Sequence, residues 1–226
     1  MRYDAGFREE ATLRDGTVVV VRGVVPEDRE LLRRGFDQLS RESRYRRFFA
    51  NRLSLSDQEL RYLTEVDGED HYAIGATMIG ADGVEEGVGI ARFVRDREDA
   101  EVAEPAVAVV DRYQNKGLGT LLLEHLTAAA YERGIRRFHC DCLASNEPIK
   151  HVLRDLSTEV RFSERGEGVL EVTMPLPEPR VEAPEGPPSL RGNGLHRLLS
   201  KVAAQMVNVQ LGRRLLAHLR GESQEG

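Results

Sequence analysis

The chain has 226 residues, 40% hydrophobic and 31% charged, with a net charge of −6, which predicts a soluble folded protein. That charge argues against general nucleic-acid binding, and no apolar run is long enough to span a bilayer. The first residues, Met1-Arg2-Tyr3-Asp4, open no signal-peptide core, so a cytoplasmic address is expected.

Thr17 to Val25 is rich in β-branched residues and predicts a strand. Pro26-Glu27-Asp28 then opens a helix to about Leu39, with proline early and acids in its first turn. Arg41 to Phe49 predicts a short helix. Ser56-Asp57-Gln58-Glu59 reads as a capping box, followed at helical spacing by Leu60, Leu63 and Val66. His71 to Ile79 and Gly87 to Val94 predict strands, and Ala81-Asp82-Gly83 between them predicts a hairpin turn. Glu101 to Val110 predicts a further strand. Leu121 to Arg133 predicts a helix ending near Gly134, with Leu118, Leu122, His125, Leu126 and Ala129 on its apolar face. His125 on that face reads as a core histidine.

Arg136 to Leu143 predicts the next strand, and Asn146 to Leu156 a short helix with Asn146 as its N-cap. Val160-Arg161-Phe162 and Val169 to Met174 predict a closing hairpin. The only cysteines are Cys140 and Cys142. They are expected to point to opposite faces of their strand and so not to bridge. That leaves two buried thiols and no disulfide scaffold or cysteine zinc site. No His/Asp/Glu grouping has metal-ligand spacing, so no metal is expected.

Pro175 to Pro188 holds six prolines and predicts an extended linker. The expected organisation is a domain over 1–176, a linker over 177–190 and a tail over 191–226. Within the tail, Leu195, Leu198, Leu199, Val202, Met206 and Val209 recur at near-helical spacing, and no acid stands between Pro187 and Gly221. Residues 187–226 carry +4, so the remainder carries −10. A basic amphipathic helix of this kind can dock on its own domain, pair two subunits, meet an acidic partner or lie on an anionic membrane.

The most telling stretch is Gln114-Asn115-Lys116-Gly117-Leu118-Gly119-Thr120. It joins the apolar run Ala106 to Val110 to the helix that follows. A glycine-bearing turn at a helix N-terminus presents unpaired N–H groups, and its natural guest is a phosphate or pyrophosphate. The spacing Gln-x-x-Gly-x-Gly is neither the dinucleotide fingerprint nor the P-loop. It resembles the acyl-CoA-binding motif of the GNAT acetyltransferase superfamily, in which this turn holds the pyrophosphate of coenzyme A. The order of elements over roughly 11–176 also matches. The resemblance implies an α/β (α+β) GNAT fold: a central mixed, mostly antiparallel sheet flanked by helices, here with an added C-terminal amphipathic helix.

Leu13-Arg14-Asp15-Gly16-Thr17, Pro26-Glu27-Asp28 and Leu39-Ser40-Arg41-Glu42-Ser43-Arg44-Tyr45-Arg46-Arg47-Phe48-Phe49 are similar to the bacterial Pat-type protein lysine acetyltransferases. In that family a glutamate ten residues before the motif glutamine is the general base, which implies Glu104, with Glu101 as the fallback. Read from the residues alone, Glu104 is a strand-edge glutamate in water without a role. Desolvation on an apolar strand would make it a better base. Pro105 departs from the family's large apolar residue and predicts an edge or bulge. Leu153 to Glu159 lacks the usual Gly-Phe, and no nucleotide-sensing segment precedes the domain.

The resemblance further implies that the backbone of Val107, Ala108 and Val109 faces the pantetheine arm. It gives the pyrophosphate to the N–H groups of Asn115, Lys116, Gly117, Leu118, Gly119 and Thr120. Gln114 then holds the turn or touches phosphate. Lys116 adds charge or is a solvated loop cation, and Asn146 contacts the pantetheine region or only caps its helix. No tyrosine lies in Glu147 to Leu156 to protonate a leaving thiolate. With no nucleophile elbow present, direct transfer is expected rather than an acyl-enzyme. The expected function is acetyl transfer from acetyl-CoA to an amine, in the first place a protein lysine. The alternatives are a small-molecule amine, or a non-catalytic module that senses acetyl-CoA.

Overall fold

A computed structural model describes residues 2–50 and 52–178 of the chain. The tail over 191–226, expected to be helical, and all but the first two residues of the expected linker lie outside the described residues.

Eight strands form one sheet in the order β1-β2-β3-β4-β5-β6-β8-β7. They are β1 (Arg8–Thr12), β2 (Val18–Gly23), β3 (His71–Ile79), β4 (Glu85–Arg95), β5 (Val102–Val109), β6 (Arg137–Leu143), β7 (Arg161–Gly166) and β8 (Val169–Pro175). All neighbours are antiparallel except β5 and β6. Helices α1 (Arg29–Asp37), α2 (Arg41–Phe48) and α3 (Asp57–Thr64) come early. Helices α4 (Leu118–Glu132) and α5 (Glu147–Leu156) flank β6 in sequence.

Period-two alternation splits the buried residues of the sheet between two cores. Ala91, Phe93, Ala103, Val107 and Val109 face α4 and pack on Leu118, Leu122 and Leu126. Ala106 and Val94 face the other way, toward Phe36, Phe48, Leu60 and Leu63 of the first three helices. The chain is thus three layers, with the sheet buried on both faces. Gly89 allows the close approach of α4, since a Cβ there would meet Leu122 at 2.9 Å and Leu118 at 3.2 Å.

Most predicted elements stand where expected, with ends shifted by a few residues. The expected helix from Pro26 begins as a 3-10 turn over Pro26–Asp28, and α1 proper starts at Arg29. Ser56 accepts from the Glu59 N–H and Glu59 returns to the Ser56 N–H, the capping box read from the sequence. Val66 falls outside α3. Strand β1 was not foreseen: Arg8-Glu9-Glu10-Ala11-Thr12 lies at the sheet edge with three exposed residues, so it shows no apolar alternation.

The reading of the cysteines is corrected. Positions i and i+2 of a strand share a face, and Cys140 and Cys142 both point into the α4 core beside Phe138. They remain free thiols. Side chains two apart on an extended strand run parallel rather than toward each other, about 6.7 Å apart at the backbone, which is the outer limit for a disulfide. Burial pushes the Cys142 thiol up to about 11 and the Cys140 thiol up as well.

His125 is a core histidine as expected. It is buried, and its Nδ1 lies 2.9 Å from the Tyr3 hydroxyl. Burial lowers its pKa. Among the described residues no helix is long and apolar enough to cross a membrane.

Candidate active site

The site begins where β5 and β6 part. Their parallel pairing covers only Val102 with Arg137 and Ala103 with Phe138. From Glu104 onward β5 keeps β4 on one side, pairing up to Val109 with Gly89. Its other side has no strand partner. The Val110 N–H donates to the Val88 carbonyl of β4 at 3.0 Å. By alternation the N–H groups of Ala108, Ala106 and Glu104 also point at β4, and those of Val107 and Val109 point into the gap. Ala108 is therefore corrected: its N–H belongs to the β4 side, and its side chain lines the cleft under the first three helices. Pro105 falls on the gap side, opposite Phe93, so its missing N–H costs no ladder bond.

The turn that follows is held by side chains. The Gln114 amide donates to the Val109 carbonyl at 2.9 Å, to the Asp111 carboxylate at 2.9 Å and to the Ser43 hydroxyl at 3.2 Å. Asp111 in turn accepts from the Ser40 N–H at 2.5 Å and from the Ser43 hydroxyl. Ser40 caps α2, accepting from the Ser43 N–H at 3.1 Å. Of the two roles open to Gln114, the structure shows the turn-holding one. Ser40, Ser43 and Asp111 were not identified as site residues from the sequence. Their signal was the Ser40-x-x-Ser43 pair inside a motif that was quoted whole.

Asn115 and Gly117 take left-handed backbone, φ 65° and 90°, to turn the chain into α4. Gly117 is the helix N-cap, and the first intrahelical bond runs from the Leu121 N–H to its carbonyl. The N–H groups of Leu118, Gly119 and Thr120 have no intrahelical acceptor by geometry, and the positive end of the helix dipole lies among them. Leu118 contributes only backbone here, because its side chain is buried in the α4 core. The ammonium of Lys116 pairs with Asp15 at 2.8 Å and sits 5.1 Å over the Tyr113 ring. That is a tie to the β1–β2 turn, not a solvated loop cation, and its hydrogen bond holds the Asp15 carboxyl down at about 2. Asn146 is 1% exposed at the N-cap position of α5 but makes no side-chain capping bond, so the simple-cap reading is corrected.

Glu104 shares its face of β5 with Ala106 and Ala108, the face toward the first three helices. Glu101 instead lies exposed before the strand begins. On the Glu104 face a cleft of about 790 Å³, mouth included, runs between the sheet and α1–α3. Leu32, Phe36, Phe48, Leu63 and Ile90 make its walls apolar, and Arg47 and Arg92 line it as well. Arg92 stands across from Ala106, one side-chain repeat from Glu104.

Both arginines are almost wholly buried, at 4% and 2% exposure. Arg92 donates to the Leu63 carbonyl at 3.0 Å and approaches His71 Nε2 at 3.0 Å. A guanidinium only donates, so Nε2 accepts and the ring proton sits on Nδ1. Burial, and then the Arg92 charge, depress His71 to about 3, which keeps it neutral. Burial lowers Arg92 to about 10. Burial and the Arg92 charge push Arg47 well down, while the Glu104 carboxylate favours its charged form. None of these cations was singled out from the sequence, because a buried arginine cannot be told from a surface one by spacing.

Residues 29–156 match the profile of the Acetyltransferase (GNAT) family. The chain belongs to that family. Among curated proteins this GNAT is similar to Acetyltransferase Pat of Mycolicibacterium smegmatis, 34% identical over 163 residues, which is 72% of this chain and 48% of Pat. It is also similar to Acetyltransferase PA5475 of Pseudomonas aeruginosa, 32% identical over 67% of this chain and 78% of that protein. The chain thus spans about half the length of Pat. Among solved structures, the GNAT domain of S. lividans PAT superposes with a TM-score of 0.68 at 32% identity, covering 77% of this chain and 99% of that one. The GNAT fold and a Pat-type relationship are therefore both established.

Proposed function

We propose that this GNAT transfers the acetyl group of acetyl-CoA directly to a protein lysine. The observation that carries the reading is the divergence of β5 from β6 after Ala103, beside the Gln114–Thr120 turn, with Glu104 on the face of β5 toward the first three helices. The residues fit the cosubstrate. The first-turn N–H groups of α4 and the left-handed Asn115–Gly117 backbone suit a pyrophosphate, and the gap between β5 and β6 suits an extended pantetheine arm. Acetyl-CoA brings an acetyl thioester, an acyl group already activated toward amines.

In this reading the gap-side backbone of β5 at Val107 and Val109 lies along the arm as an added strand would, and the Val107 N–H polarises the acyl carbonyl. Asn146, buried at the N-cap of α5 after β6, contacts the arm. Glu104 takes the proton from the incoming ammonium, directly or through a water, since a lysine with a reference pKa of about 10.4 is otherwise protonated. The similarity to Pat-type enzymes supports a protein lysine as the acceptor.

Incubating the purified protein with isotopically labelled acetyl-CoA and a cell lysate tests this by mass spectrometry. Label on lysine residues is the expected result. Label confined to small amines would replace the acceptor, and tight acetyl-CoA binding with no transfer to anything would make the module a sensor.

A further inference from the structure

Arginines packed into this fold, buried like Arg133 or half-buried like Arg44, have their N–H groups spent. Arg133 gives its guanidinium to the carbonyls of Gly68, Ala129 and Tyr3. Arg44 gives its own to the carbonyls of Leu39, Leu53 and Asp37. Arg47 differs. It lines the cleft at 4% exposure, and its Nη1 is fully buried with no hydrogen-bond partner. The charges that reach it are Arg92, Arg52 and Glu104. Two of these are cations, and Arg52 is already paired with Glu59. Arg92 beside it meets a neutral imidazole and the Leu63 carbonyl, with the Tyr62 hydroxyl near enough to favour its charge.

Glu104 is the one carboxylate whose charge reaches Arg47, which shares the apolar-walled cleft with a second desolvated guanidinium, Arg92. A buried cation without a full partner is unfavourable unless a ligand completes it. A carboxylate accepts two N–H bonds from one guanidinium fork, and a neutral group of the same shape does not.

We propose that Arg47, backed by Arg92, is an anion subsite in the acceptor cleft, and that it receives a carboxylate carried by the amine acceptor. The inference rests on the acetyl-transfer reading for the identity of the occupant, not for the existence of the subsite. The apolar walls suit the methylenes that separate amine from carboxylate, and Glu104 stands one repeat away to meet the amine. Such a carboxylate comes from an acidic side chain flanking a target lysine or from a free amino acid.

The probe that isolates the subsite is hexanoate against its neutral counterpart hexanamide, read as a shift in thermal midpoint of the full chain. Hexanoate raises the midpoint by about 3 °C or more at saturation and hexanamide does not. In Arg47→Met the hexanoate response is lost. The unliganded variant melts no lower than wild type, because a buried cation with an unsatisfied Nη1 has been replaced by an apolar chain. If Arg47→Met does not fold, the contrast between the two probes on the wild type still decides. Equal responses to both probes, or an undiminished hexanoate response in Arg47→Met, would overturn the subsite.

The source is read from transfer. One pair of peptides has Glu or Gln beside a single lysine, and a second pair is 6-aminohexanoate and its amide. The acidic member of one pair has a KM lower by about tenfold or more, and the pair that shows it names the source. A hexanoate-specific shift with no acetylation of any acceptor would leave the subsite standing and remove the acetyl-transfer reading.

Discussion

In the proposed reaction Glu104 and Gln114 have separate tasks. Glu104 lies on the face of β5 toward the first three helices, and Glu104→Gln keeps shape and polarity while removing the proposed proton acceptor. Its kcat falls by about 10²- to 10⁴-fold with the acetyl-CoA Kd unchanged, measured by steady-state kinetics and calorimetry. Retained activity would assign the base elsewhere. Gln114 works through the turn: its amide ties Val109, Asp111 and Ser43 together. Gln114→Ala leaves a buried carbonyl and carboxylate short of a donor. It weakens acetyl-CoA binding by about tenfold, the loss of roughly 1–2 kcal/mol of hydrogen bonding. Ser43→Ala acts in the same direction through the same network, and a calorimetric titration of each checks it. The Glu104 position was legible from its spacing to Gln114. The role of Gln114 was not, because its partners lie 71 and five residues away as well as three.

At the scale of the element, the N-terminus of α4 depends on backbone that only glycine adopts without strain. Gly117 sits at φ 90°, and a Cβ there would also stand 3.3 Å from Arg14 Nε. Gly117→Ala destabilises the fold by about 1–2 kcal/mol, the penalty for left-handed backbone. It also weakens acetyl-CoA binding more than a surface change of equal stability cost, since the turn that aims the N–H groups is the part displaced. Denaturant titration and a binding isotherm on the same sample separate the two effects. Strand β5 shows the limit of local reading. Its apolar run and Pro105 were visible, and the proline did mark an edge. Which N–H groups face the gap followed only once Val110 was seen to pair with Val88.

Across the whole molecule, acid weakens the fold through histidines buried neutral. His71 is depressed to about 3 and His125 is lowered as well, both by burial first. An unfolded histidine takes up its proton near pH 6.5, whereas folded His71 does not until about 3. Between those values the unfolded chain binds more protons, so stability falls as pH drops from about 6.5 toward 3 and is flat with respect to this group above 6.5. The slope from one such group is at most about 1.4 kcal/mol per pH unit. His71→Gln keeps an acceptor for Arg92 and removes the titration. Its unfolding free energy, from urea melts at pH 7 and pH 5, differs less between the two than that of wild type.

The sequence by itself determined the order of elements from β2 onward, the Ser56 capping box, the glycine turn and the family. Each of these is written in spacing along the chain, where a period of two or 3.6 or a motif of seven residues is self-contained. It misled on Cys140 and Cys142 only because the period was misapplied. The tertiary structure alone decided that β5 and β6 diverge after Ala103, that α2 is bolted to the turn through Ser43 and Asp111, and that Arg47 and Arg92 are buried beside an apolar cleft. These are properties of groups brought together from 35 to 71 residues apart, and desolvation of a charge depends on what surrounds it in space, which no local pattern records.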